Sequence, residues 1–217
     1  MNRITRCIKE PFCGLSHLLG AALSVIGLIV LLAVTSGRPW HVTGVAIYGV
    51  SLILLYVAST LCHSVHCSIE KETQLDRFDH AAIFLLIAGT YTPLCLVPLR
   101  GPWGWTILAI EWVLAVAGIV LVTRGKVRRQ WPRVAIYIAM GWVAIVAVVP
   151  IVEVLPAAAV AWMIAGGVIY TLGAIVYATN RPQLWPGKFG AHDLWHVFVL
   201  AGSACHFVMI LFFIAMP

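Results

Sequence analysis

The chemistry in this sequence is concentrated in histidines. In "HDLWH", His192 and His196 stand four apart, which on a helix of 3.6 residues per turn puts both imidazoles on one face, where they can hold one metal ion. The segment "STLCHSVHCS", Ser59 to Ser68, adds two cysteines and two more histidines within six positions. It poses a choice between a self-contained metal site and one half of a site completed elsewhere. On a continuing helix Cys62, His63, His66 and Cys67 fan over an arc of roughly 140° at 100° per residue. They cannot surround an ion unless the helix unwinds there. The sequence therefore favours His63 as an inward-facing third ligand, with Cys62, His66 and Cys67 as packing or loop residues.

Three histidines and an open fourth position are the donor set of a catalytic zinc ion, whereas a structural site closes all four positions with protein ligands. Imidazole would also accept copper, nickel or iron. The competing view of "HDLWH" is two interfacial histidines bonded to carbonyls or water. Ser59 lies one turn before His63; its hydroxyl serves either a substrate oxygen or the carbonyl four residues back. Asp79 opens the apolar run "DHAAIFLLIAG", either as a carboxylate favouring a helix N-terminus or as a proton acceptor beside an ion. Asp193 is a candidate orienting partner for a neighbouring histidine, and His66 and His80 read as interfacial. His206 stands about 15 Å beyond His196 at 1.5 Å per residue, too far to share its ion. It is expected to bond across helices. Pro93 is expected to bend its helix, and Gly89 to allow a close helix approach.

The elements that must position these groups are membrane spans. Of 217 residues, 62% are hydrophobic and 10% charged, far from the balance of a soluble domain. Seven apolar runs are long enough to cross a ~30 Å hydrocarbon layer: Leu15 to Thr35, Val42 to Leu61, His80 to Val97, Trp103 to Val122, Val134 to Pro150, Ala157 to Ala178 and Leu194 to Ala215. They lack the alternation of barrel strands, so internal backbone satisfaction in lipid makes them helices. The expected fold is an all-α integral membrane bundle of seven transmembrane helices, forming one domain over residues 1–217. The first span, which carries His17 and lacks a cleavage pattern, is expected to be an uncleaved helix rather than a signal peptide.

Lysine and arginine fix the orientation. The N-terminus and the second, fourth and sixth loops carry Arg3, Arg6, Lys9, Lys71, Arg77, Arg124, Lys126, Arg128, Arg129, Arg133, Arg181 and Lys188, against Arg38 and Arg100 on the other side. Twelve to two predicts a cytoplasmic N-terminus and an external C-terminus. The formal charge of +6 then reflects topology and contact with anionic lipid, not a nucleic-acid partner. Cys7, Cys13, Cys62 and Cys67 fall toward the reducing side, so no disulfide framework is expected. His17, His63, Asp79, His192 and His196 all collect at the cytoplasmic level, and ionisable groups at membrane depth mark function.

Ser59-x-x-x-His63, "FDHAAIFLLIAGTYTP" from Phe78 to Pro93, and "HDLWHVFVLAGSACHF" from His192 to Phe207 resemble the hemolysin III proteins of bacteria. These are a branch of the progestin and adipoQ receptor (PAQR) family within the wider CREST group, which includes alkaline ceramidases. The resemblance implies a bacterial inner-membrane protein with Zn²⁺ near the cytoplasmic face, held at His63, His192 and His196. It further implies that Asp79 contacts the zinc-bound water and that Ser59 is the serine one turn before the first ligand. One departure stands in helix 1: "EPFCGLSH" keeps Glu10, Ser16 and His17 but has Cys13 where the family carries asparagine. The function expected is a zinc-dependent hydrolase of a membrane-lipid amide or ester, with Asp79 and Ser59 as catalytic residues. The alternatives are a membrane-homeostasis regulator or lipid sensor with structural zinc, or a pore-forming hemolysin. Ionisable residues gathered at one end make a poor channel.

Overall fold

The computed structural model describes residues 8–127 and 129–216. Arg3, Arg6, Cys7 and Arg128, counted above, lie outside them. The chain runs through α1 (Pro11–Val34), α2 (Pro39–Ser64), α3 (Ile69–Leu96), α4 (Pro102–Thr123), α5 (Gln130–Gly141), a 3-10 stretch (Val143–Ala147), α6 (Val148–Val154), α7 (Ala157–Thr179) and α8 (Ala191–Ile210), which ends in a π turn (Leu211–Ala215). Taking Gln130–Val154 as one broken span, seven helices among the described residues are long and apolar enough to cross a membrane, and these residues form no strand. The described cysteines Cys13, Cys62, Cys67, Cys95 and Cys205 are free.

The spans depart from the apolar runs where polar residues continue a helix past the hydrocarbon layer. "IEKETQLDRF" is too charged to count as membrane-spanning, yet it forms the first turns of α3, with Glu70 and Glu72 at its N-terminal end, where acidic residues suit the helix dipole. Asp79 therefore sits about ten residues inside α3, and the expectation that it opens that helix is corrected. The fifth span is not continuous. Pro150 has no backbone N–H and its ring crowds the carbonyl four residues earlier, so an α-helix cannot run unbroken through Val146. The chain passes instead through the 3-10 stretch and restarts at Val148, placing Pro150 in the first turn of α6, where proline is tolerated.

The tightest packing joins α1 with α2, α2 with α3, α3 with α4, and α7 with α8, while the broken fifth span touches its neighbours sparingly. Small residues set the close approaches. A methyl added to Gly89 in α3 would stand 2.8 Å from Ser51 Cβ and closer still to its hydroxyl, so glycine here is a condition of the α2–α3 contact. The main core includes Tyr48, Leu52 and Leu55 of α2, Leu86 and Leu94 of α3, and Met209 of α8.

Candidate metal centre

Three helix ends and the interior of α3 bring the polar residues together. The chain entering α1 is tied to the end of α2 by backbone bonds from Glu10 N–H to the His63 carbonyl (2.8 Å) and from Lys9 N–H to the Ser64 carbonyl (3.4 Å). Helix α3 brings Asp79 to the same level. Helix α8 begins at Ala191, so His192 lies in its first turn and His196 one turn deeper.

His63, His192 and His196 form a triangle, with ring centres 4.9 Å apart for His63–His192, 4.8 Å for His63–His196 and 4.9 Å for His192–His196. His63 Nδ1 donates to Glu10 Oε2 at 2.8 Å. That bond leaves Nε2 as the lone-pair nitrogen. Nε2 is buried and has no hydrogen-bond partner among the described residues; its nearest acid is Asp79 Oδ2 at 3.8 Å. His196 is 2% exposed, and its Nδ1 is likewise unpartnered. His192 Nδ1 lies 3.5 Å from Glu10 Oε2. Contacts from His192 and then His63 hold the Glu10 carboxyl well below the usual carboxylate range.

The buried, unpartnered nitrogens of His63 and His196, the former oriented by the Glu10 carboxylate on its opposite ring nitrogen, fit a late first-row cation such as zinc. Three overlapping sets have ligand atoms within 4.8 Å of one another: Glu10 with His63 and His192, Cys13 with His192 and His196, and Cys62 with His63 and Asp79. The predicted residues His63, His192, His196 and Asp79 share this neighbourhood, but the expected triad is not itself one of these sets: His192 joins His63 in one and His196 in another. Ser59, 2% exposed, lines the same cavity from one turn before His63. Its neighbour Thr60 bonds back to the Tyr56 carbonyl at 2.7 Å, whereas the Ser59 hydroxyl has no hydrogen-bond partner among the described residues.

Several expectations change at this site. Helix α2 ends at Ser64, inside the "CHSVHC" motif, so the helix does unwind there. Even so, the motif does not close on itself: His66 is exposed in the following loop, and Cys62 and His63 group with Asp79 instead. Cys62, expected as a packing or loop residue, lies within ligand reach of His63 and Asp79. Among the described residues Asp193 bonds no histidine; it accepts the Gly190 N–H at 2.8 Å, capping α8, and the Cys13 thiol at 3.3 Å. Cys13 thereby fills the helix 1 position in which the sequence departs from the family pattern, and its sulfur is also 3.8 Å from His192 Nδ1. His80 is fully engaged, through Nδ1 with the Asp76 carbonyl (2.7 Å) and through Nε2 with the Tyr177 hydroxyl (3.3 Å). His17 is 2% exposed, its ring centre 3.9 Å from that of His196, and neither of its nitrogens has a partner among the described residues. Glu10 and Cys13 precede the first apolar run; the helix 1 motif of the family named both positions, and the carboxylate–histidine pattern of metal sites supplies the role of Glu10.

The site stands at one end of a cavity of about 640 Å³. Below the histidines the walls turn apolar, with Leu55, Leu86, Val199, Met163 and Met209 among them. Ile145, Val148, Val152 and Ile164 line it while also being among the exposed apolar residues of the surface. The cavity therefore opens sideways between the fifth and sixth spans, and also at its polar end, where exposed Thr73 and Asp76 line it.

The model of haemolysin-III related proteins matches residues 5–207. This chain belongs to that family. It is 43% identical to Hemolysin-3 of Bacillus cereus over 99% of this chain and 96% of that one, and 39% identical to the Hemolysin-3 homolog of Bacillus subtilis (strain 168) over 95% of each. A more distant likeness, 30% identity over 71% of this chain and 46% of the relative, is to Heptahelical transmembrane protein 5 of Arabidopsis thaliana. With its seven apolar helices, this haemolysin-III-related protein is an integral protein of the bacterial cell membrane.

Proposed function

We propose that this protein is a zinc-dependent hydrolase of a membrane-lipid amide or ester, with zinc held by His63, His192 and His196. The observation that carries this is the placement of Asp79: its Oδ2 is 3.8 Å from the unpartnered His63 Nε2, at the head of an apolar cavity that opens between two spans. A lipid sensor with structural zinc would need the histidines and the cavity, but no carboxylate at that position.

Zinc, when bound, supplies Lewis acidity toward the substrate carbonyl and makes water acidic enough to react at neutral pH. The chain's own residues do the rest. The lipid enters through the gap beside Ile145 and Ile164, and its chain occupies the apolar walls, fixing the scissile bond at the polar end. Asp79 takes the proton of the attacking water at its carboxylate and returns it to the leaving nitrogen or oxygen. The Ser59 hydroxyl donates to the carbonyl oxygen as charge develops there. Glu10 holds His63 in the tautomer whose Nε2 lone pair faces the site.

The test is Asp79→Asn in purified protein supplied with long-chain amides and esters. Zinc content and folding should survive, while turnover falls on the order of 10²- to 10⁴-fold, the usual share of general acid-base catalysis. A variant with full zinc and unchanged turnover would overturn the mechanism.

A further inference from the structure

The cavity has a second polar station. His206, ten residues past His196 and so ~15 Å further along α8, lines the same cavity from mid-bundle. It is 9% exposed and stacks on Tyr170, with ring centres 5.5 Å apart and planes at 18°. The cross-helix bond expected of it is absent among the described residues, where its wholly buried Nδ1 has no hydrogen-bond partner. Around it, the Tyr170 and Ser203 hydroxyls satisfy each other at 2.8 Å. The Tyr48 hydroxyl, on a residue 1% exposed, is unpartnered as well.

An unpaired imidazole at this depth costs free energy that leucine or phenylalanine would not. A cavity shaped only for a saturated chain has no use for it. The protein also makes room for the ring: a methyl on Gly166 of α7 would stand 2.7 Å from His206 Nε2.

We infer that His206 is a second recognition point of the lipid site, taking a hydroxyl or keto oxygen carried part-way along the bound chain, roughly 15 Å from the histidine triangle. The substrate class is then a long-chain lipid oxygenated in mid-chain. This rests on the proposal that the cavity holds lipid. Neutral imidazole is both donor and acceptor, so either oxygen type is matched, and the Tyr170 ring fixes the plane in which it must lie.

The experiment measures displacement of a fluorescent fatty acid from the purified full chain by octadecanoic acid and by its monohydroxy derivatives, with the hydroxyl stepped along the chain. Each ratio is compared with that for His206→Phe in the same micelles, so that partition into detergent cancels. The wild type should favour a mid-chain hydroxyl roughly three- to tenfold over the plain chain, the net worth of one hydrogen bond. His206→Phe, which keeps an aromatic ring against Tyr170, should lose that preference. If His206→Phe does not fold, Gly166→Ala gives the same comparison by displacing the ring. Plain and hydroxylated chains bound equally by the wild type would overturn the inference and leave the lipid cavity standing. Failure of every chain to bind would remove both.

Discussion

His63 Nδ1 and Glu10 Oε2 are 2.8 Å apart, joining the residue before the first helix to the last turn of the second. This bond selects the nitrogen that His63 turns toward Asp79. Partners of this kind typically change metal affinity 10- to 100-fold when removed. Glu10→Ala should therefore weaken zinc binding by roughly that factor in a chelator competition, and Glu10→Gln, which keeps an acceptor oxygen, by less. Total loss of zinc in Glu10→Ala, with zinc retained in His196→Ala, would instead make Glu10, His63 and His192 the ligand set.

Orientation can be checked without any assumption about metal. Twelve basic residues on the N-terminal side against two on the other predict that a reporter active only in the cytoplasm works when inserted at Val127 and fails when fused after Met216. Activity at Met216 would invert the bundle or remove a span. It would also put the histidine triangle on the external face.

The number of spans was legible because hydropathy in lipid is nearly a one-variable problem, and the four residues His63, Asp79, His192 and His196 were legible because polar groups at membrane depth stand out. What was not legible depends on where helices begin and stop. The charged turns from Ile69 to Phe78 carry no apolar signal, so Asp79 reads as a helix start when it is interior to α3. Helix α2 stops at Ser64 rather than running on, which frees His66 to the loop and leaves Cys62 beside His63. Glu10 and Cys13 reach the site only because the chain before α1 pairs with the end of α2, a contact between residues more than fifty positions apart that no local pattern encodes. The break at Gly141 to Ala147 follows from Pro150, yet its consequence, an opening between spans, appears only once the neighbouring helices are in place.

The ligand set itself admits a decisive measurement, because a thiolate and an imidazole give different spectra. Cys13 is within reach of His192 and His196, and Cys62 of His63 and Asp79. Cys13, however, is already engaged with Asp193 Oδ1 at 3.3 Å, whereas His63 Nε2 and His196 Nδ1 are buried without a partner among the described residues. About one zinc per chain is expected, lost sharply in His63→Ala, His192→Ala and His196→Ala and kept in Cys13→Ala, Cys62→Ala and Cys67→Ala. Cobalt substituted for zinc should then show no thiolate-to-metal charge-transfer band, and Cys13→Ala should leave its visible spectrum in place. A charge-transfer band that vanishes in Cys13→Ala would make the cysteine of helix 1 a ligand and displace His63 to an outer role. Loss of zinc in the Cys62/Cys67 double variant, with zinc retained in His192→Ala, would return the site to the local "CHSVHC" motif. That outcome would separate the metal from the helix that carries His192 and His196, and with it from the head of the cavity on which the hydrolase proposal depends.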